Sequence, residues 1–423
     1  MEKNALRNIQ DNHQVHTFPN GIRLIHKQVK STSIAHCGIM FNIGSRDEKP
    51  HQQGIAHFWE HMAFKGTKKR KSYHILNSLD SVGGELNAYT TKEKICFYAS
   101  ALVQHFPKMA DLVSDISFGS VFPEKEIIKE KGVILEEMAM YQDDPADAIT
   151  DEFDELVFGD HPLGKNILGN RESVSGFQQA DFYEFINENL NTHEVVFASV
   201  SNLPFEKVLR VVSKYLEDVP EATGQKSRED FTGYKPENRI VKKSGINQAH
   251  CIYGTESLPI FHDDRVPFFL LTNILGGPAM NSRLILSIRE KYGLVYDISA
   301  NLINYLDTGA FYVNFATETK SVKRCLELVE REIQKLRSKK LGTRQLYMAK
   351  QQLMGQVAMG EESNLSLMLG IAKSYLDRGY MQSIDTLFDE IEEVTAEKIQ
   401  EITNTILAKD RFSTLIYMPE EEK

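Results

Sequence analysis

The feature that most constrains this chain is a self-similarity at a spacing close to half its length. Ala35-His36-Cys37 recurs as Ala249-His250-Cys251, and Phe97-Tyr98 recurs as Phe311-Tyr312. Both matches are 214 residues apart (249 − 35 and 311 − 97) in a sequence of 423. Each Phe-Tyr pair sits in an apolar, strand-like stretch that leads into a helical pattern, at 108–113 in the first copy and 322–329 in the second. Two matches at one offset predict a duplicated domain. The stretch 218–245 is rich in charge, Gly and Pro and reads as the join. The expected boundaries are therefore 1–219 for the first domain, 220–240 for a linker and 241–423 for the second.

Local patterning gives the fold class. Residues 23–26, 35–42 and 96–101 alternate or run apolar as strands do, and windows 54–64, 73–82, 107–118 and 124–142 carry helical periodicity. Strands and helices mix without a βαβ rhythm, and no Gly-rich phosphate loop follows a strand. That predicts α+β rather than a doubly wound sheet.

Composition narrows the function class. The chain is 41% hydrophobic and 26% charged, an ordinary globular balance. No apolar run approaches the roughly 20 residues a membrane helix needs. Residues 1–15 lack an apolar core, carry acids and are not Arg-rich, so neither a secretory signal nor a transit peptide is expected. The four cysteines (Cys37, Cys96, Cys251, Cys325) are far apart and none forms a CxxC. A reducing, cytoplasmic location is the expectation. The net charge of −10 (49 − 59) argues against nucleic acid as a partner. A short basic cluster at 65–71 reads as a solvated turn after a helix.

The chemistry concentrates in His57-Phe58-Trp59-Glu60-His61. On a helix, His57 and His61 are four apart and share a face, so two imidazoles can hold one zinc ion. Glu60 lies three residues after His57, placed to act on a water as general base without being a ligand. The order His-x-x-Glu-His inverts the more familiar zinc peptidase motif. A catalytic zinc needs a third protein ligand. The 124–142 helix offers Glu130 and Glu137, two turns apart on one face with Ile127, Ile134 and Met138 close by. Glu136 competes but points about 100° away. A solvated charged helix face is the bland alternative.

The run from His57 to Thr67, His-Phe-Trp-Glu-His-Met-Ala-Phe-Lys-Gly-Thr, closely resembles the zinc site of the pitrilysin, insulysin and mitochondrial processing peptidase superfamily. In that family a glutamate follows the second His by about 76 positions, with another glutamate seven before it. Here 137 − 61 = 76 and 137 − 130 = 7. The resemblance makes Glu137 the third ligand and Glu130 the supporting carboxylate. It extends through residues 44–48 and 83–90 into the second half, where Arg289 and Tyr296, seven apart, match the family's substrate-side pair. The positions 214 beyond His57, Glu60 and His61 are Leu271, Ile274 and Leu275. The second copy thus has no metal motif.

The resemblance implies a zinc metalloendopeptidase, one Zn2+ per chain, built from two homologous α/β-sandwich domains that form half of a clam-shell around a chamber. Because the chain carries both the metal motif and the Arg289/Tyr296 pair, a homodimer is expected, each site taking the pair from the other chain. The alternatives are an obligate heterodimer with an inactive sister chain and a non-catalytic structural member. Segment 83–90 would bind peptide as an added strand, with Asn87 and Ala88 in contact. Phe64 would line an apolar pocket past the cut. Asp147 and Asp151, 10 and 14 residues after Glu137, would favour basic residues upstream of it.

Overall fold

A computed structural model describes residues 13–420. Most of the 1–15 segment read for targeting signals lies outside them. In chain order the first elements are β1 (His13–Thr17), β2 (Arg23–Gln28), β3 (Ile34–Phe41), α1 (Ile55–Ala63) and α2 (Ser72–Asp80). Then come β4 (Glu85–Thr90), β5 (Ile95–Leu102), α3 (Phe106–Phe118), α4 (Glu124–Asp143) and α5 (Pro145–Phe158). Helices α6 (Arg171–Gly176) and α7 (Gln179–Asn189), β6 (Val195–Ser201) and α8 (Phe205–Leu216) follow. The second half has β7 (Asn238–Lys243), β8 (Ala249–Ser257), α9 (Arg265–Gly276), β9 (Val295–Asn304) and β10 (Gly309–Thr317). It ends with α10 (Val322–Ser338), α11 (Thr343–Glu361), α12 (Asn364–Arg378), α13 (Ile384–Glu393), α14 (Ala396–Thr405) and β11 (Ser413–Pro419). No helix among the described residues is long and apolar enough to cross a membrane.

The elements form two compact units, each with its own sheet. The first sheet runs β1-β2-β6-β3-β5-β4 and the second β7-β11-β8-β10-β9. In the first, β2 is parallel to β6 and the pairs β6–β3, β3–β5 and β5–β4 are antiparallel. In the second, β7 is parallel to β11, and β11–β8, β8–β10 and β10–β9 are antiparallel. Apart from β1 the two topologies are identical. The fold is α+β and duplicated.

The register refines the repeat. Tyr98 faces Gly38 across the first sheet, and Tyr312 faces Gly254 across the second. A Cβ on either glycine would come within 2.8 Å or less of the tyrosine Cβ, so each tyrosine needs a glycine opposite. The tyrosines are 214 apart (312 − 98) but the glycines are 216 apart (254 − 38). The Ala-His-Cys match is therefore two residues out of step with the true strand equivalence. A shift of two keeps every side chain on its face, which is why the alternation concealed it.

The units are not the two sequence halves. Of the described residues, one comprises 13–138, 165–228 and 358–384; the other comprises 139–164, 229–357 and 385–420. Helix α12, from the second half, covers one face of the first sheet. Its Leu367, Met368, Ile371 and Ala372 pack on Ile25, Met40, Cys96, Val196 and Ala198. Helix α5, from the first half, covers the second sheet with Ile149, Phe153 and Val157 against Ile252, Tyr312 and Leu415. The opposite face of the first sheet, with Ile39, Phe97 and Phe197, packs on α1, α2, α3 and α8. Covering on both faces explains why β3 and β6 read as continuous apolar runs rather than alternating ones. Residues 220–228, in the stretch expected to be a linker, belong to the first unit. Arg228 there makes a two-point pair with Asp47, both contacts at 2.7 Å.

Candidate metal centre

Helix α1 begins at Gly54, whose φ of +94° suits a residue without a Cβ. Gly54 has no side chain to cap the helix. The buried carboxylate of Glu48 does so instead, accepting the Gly54 N–H at Oε2 and the Ala56 N–H at Oε1, each at 2.9 Å. Burial pushes the Glu48 carboxyl well up, against these two hydrogen bonds. Ile55, Phe58, Trp59 and Met62 bury one side of α1 in the core of the unit. This leaves His57 and His61 facing α4, and Glu60 facing β4.

Those side chains converge with two from α4. His57 Nε2 is 3.7 Å from Glu137 Oε1, and His61 Nε2 is 3.4 Å from Glu137 Oε2. The metal-binding atoms of His57, His61 and Glu137 all lie within 4.8 Å of one another. Ligand atoms about 2.0–2.1 Å from a shared tetrahedral zinc stand about 3.4 Å apart. The two imidazoles and the carboxylate therefore fit a zinc ion in both donor type and spacing. Among the described residues this is the one such cluster. Glu136 is exposed, off the face that carries Glu137.

The surrounding groups orient this trio. Glu130 is buried and accepts from His61 Nδ1 at 3.0 Å, which leaves Nε2 turned toward Glu137. Lys65 Nζ holds the other Glu130 oxygen at 2.7 Å. Lys65 is thus drawn into the centre rather than solvated. Arg70 likewise pairs with Asp111 and Asp115. Lys68, Lys69 and Lys71 are exposed, as the solvated-turn reading of 65–71 expects, while Lys65 and Arg70 depart from it by making ion pairs. Lys65 lies four residues after His61, so an i, i+4 reading could have found it. Glu60 Oε2 accepts from Thr90 Oγ1 at 2.6 Å. Nothing in the sequence marks that contact, because Thr90 reaches Glu60 from β4, 30 residues on.

Burial and close carboxylates set the electrostatics of this cluster. Burial, then the neighbouring His61, drives His57 down to about 4 despite Glu137. Burial also opposes charge on His61, but its bonds to Glu130 and Glu137 outweigh it and raise the imidazole to about 9. The hydrogen bond from His61 holds the Glu137 carboxyl below its ordinary value. Burial raises that of Glu60, against the Thr90 bond.

The remaining expected residues fall elsewhere. Phe64 ends α1, half-buried against the core. Asn87 and Ala88 lie on β4, the edge strand of the first sheet, and the Ala88 N–H donates to Asn87 Oδ1 at 2.8 Å. Arg289 and Tyr296 are in the second unit. The Arg289 guanidinium stacks 5.6 Å over the ring of Tyr296, which is 85% exposed. Arg289 lies in a π-helical stretch, Ile285–Glu290, after which the chain turns at Gly293 (φ +62°) into β9. Asp147 is exposed and Asp151 half-buried, both on α5 in the second unit.

Comparison with known proteins agrees with this geometry. The insulinase (peptidase family M16) profile matches residues 23–171, and the peptidase M16 inactive domain profile matches 176–353. The chain is 30% identical to an uncharacterized zinc protease of Bacillus subtilis, covering 95% of this chain and 97% of that one. It is 33% identical to another of Streptomyces coelicolor, covering 93% and 87%. A protease structure from Helicobacter pylori shares the fold at a TM-score of 0.89 and 18% identity, over 96% of this chain and 99% of that one. With its His57/His61/Glu137 cluster, this chain belongs to the M16 insulinase family of zinc proteases.

Proposed function

We propose that the chain is a zinc-dependent endopeptidase acting on peptides or unfolded segments, with one ion per chain held by His57, His61 and Glu137. The convergence of those three side chains carries the reading. A zinc ion there supplies Lewis acidity that brings the pKa of water to about 7. Glu60 is the general base. Thr90 fixes its Oε2 and leaves Oε1 to take a proton from the attacking water and pass it to the leaving amine. Glu130, anchored by Lys65, keeps His61 in its ligating orientation.

The free edge of β4 suits an extended peptide, bound through main-chain hydrogen bonds beside Asn87 and Ala88. Phe64 offers an apolar contact past the cut. Tyr296 would donate to the carbonyl oxygen and Arg289 to a neighbouring carbonyl, the pair coming from the partner in a homodimer with two sites. Asp147 and Asp151 are the groups on this chain suited to basic residues upstream of the cut. The site's chemistry fits a cytoplasmic enzyme equally well as one elsewhere. The test is chelator-sensitive cleavage of an unstructured peptide. Glu60→Gln should keep its zinc and lose turnover; undiminished cleavage would refute Glu60 as the base.

A further inference from the structure

Among its described residues the second unit has no cluster of metal-binding side chains, yet it keeps a cavity in the corresponding place. Helix α9 follows β8 as α1 follows β3, and α11 follows α10 as α4 follows α3. Between α9 and α11, bounded also by 281–287 and α10, lies a cavity of about 500 Å³. Ala349, the seventh residue of α11, lines it, as Glu130 is the seventh residue of α4 (349 − 343 = 130 − 124). Where the first unit presents imidazoles and carboxylates, this cavity is lined by side-chain amides, the Glu332–Lys335 pair and hydrogen-bond donors that lack partners.

Two of those donors adjoin in the chain. Ser282 is 3% exposed, and its hydroxyl has no hydrogen-bond partner. Arg283, half-buried beside it, has no hydrogen bond or ion pair with any described residue. A partly desolvated guanidinium in that condition gains from an anion that completes it. Burial lowers the Arg283 pKa, and the charge of Glu332 only partly offsets this. Glu332 is itself buried and already spoken for by Lys335, at 2.6 Å. One cation therefore remains open, and the buried Glu332 disfavours a dianion there. Leu286 and Met348, about half exposed, form an apolar rim.

We infer that this cavity binds a carboxylate, the α-carboxylate of a peptide that ends in an apolar residue. Arg283 makes the charge-assisted contact and Ser282 the second hydrogen bond. Leu286 and Met348 cover the terminal side chain. The choice of a peptide as the carboxylate's source rests on the peptidase reading above; the anion chemistry does not.

The test titrates full-length, zinc-loaded protein with N-acetyl-leucine and with N-acetyl-leucinamide, followed by calorimetry, and repeats both after chelation. N-acetyl-leucine should bind with or without zinc, and the amide at least tenfold more weakly. Arg283→Gln should cost tenfold or more and Ser282→Ala threefold or more. Met348→Glu, at an exposed position that the fold tolerates, should abolish binding while the thermal melt stays unchanged. Equal binding of the amide would overturn the inference. So would binding that chelation removes and Arg283→Gln spares, or displacement by inorganic phosphate at equal concentration. None of these readouts needs turnover. An inactive enzyme that still binds N-acetyl-leucine would therefore defeat the peptidase reading and leave the carboxylate site standing.

Discussion

The Thr90 hydroxyl lies 2.6 Å from Glu60 Oε2, so the edge strand proposed to receive the peptide also holds the proposed base. Removing the hydroxyl leaves Glu60 free to rotate. Thr90→Val should lower kcat about tenfold, about 1.4 kcal/mol, with KM little changed and zinc content intact. Thr90→Ser should restore most of the rate. Steady-state kinetics on the three proteins checks this; a change confined to KM would assign Thr90 to peptide binding instead.

Metal uptake should release a proton. In the metal-free centre His61 titrates near 9 and His57 near 4, while Glu137 is held below its ordinary value. At pH 6, therefore, His61 is protonated and the other two ligands are not. Because ligation requires neutral imidazole, zinc binding displaces about one proton. Calorimetry in buffers of different ionisation enthalpy should give a slope near one at pH 6. A slope near zero would mean that His61 is already neutral.

Lys65 reaches the proposed metal centre only through Glu130. Lys65→Met should leave the three ligands in place but free the Glu130 carboxylate from its second anchor at 2.7 Å. Zinc affinity should fall about 10- to 100-fold. Competition against a chromophoric chelator measures it, and unchanged affinity would make the ion pair irrelevant to the centre.

Helix α12 is pinned to the first unit by a buried ion pair, Lys94 Nζ to Asp377 Oδ1 at 2.6 Å, with side chains 6% and 4% exposed. Truncating one partner strands the other charge. Asp377→Ala should destabilise the first unit by about 3–5 kcal/mol, read from urea denaturation at pH 7. Replacing Lys94 and Asp377 together by apolar residues should cost less than either single change.

These contacts show what a one-dimensional reading reaches. The i, i+4 spacing exposed His57 and His61, because a helix alone sets their geometry. The strands at 35–42 and 96–101 and the helices at 54–64 and 124–142 were legible from periodicity. Glu137 is 76 residues from His61; helix geometry set Glu136 aside, but only a family resemblance singled Glu137 out from Glu130. Glu48 and Thr90 were invisible as helper residues, since each reaches α1 from a separate element. The exchange of α5 and α12 was invisible for a related reason. Periodicity tells which face of a helix is apolar, and Ile149 or Ile371 would pack equally well on either of two sheets of the same design.

The central claim is that His57, His61 and Glu137 hold one ion. The most direct test is the zinc content of purified wild type, His57→Ala and Glu137→Ala after equilibration with limiting zinc, by elemental mass spectrometry. The account predicts about one zinc per chain in the wild type and less than about a tenth of that in either variant. Stoichiometric zinc in Glu137→Ala, or a wild type that takes up none, would contradict it.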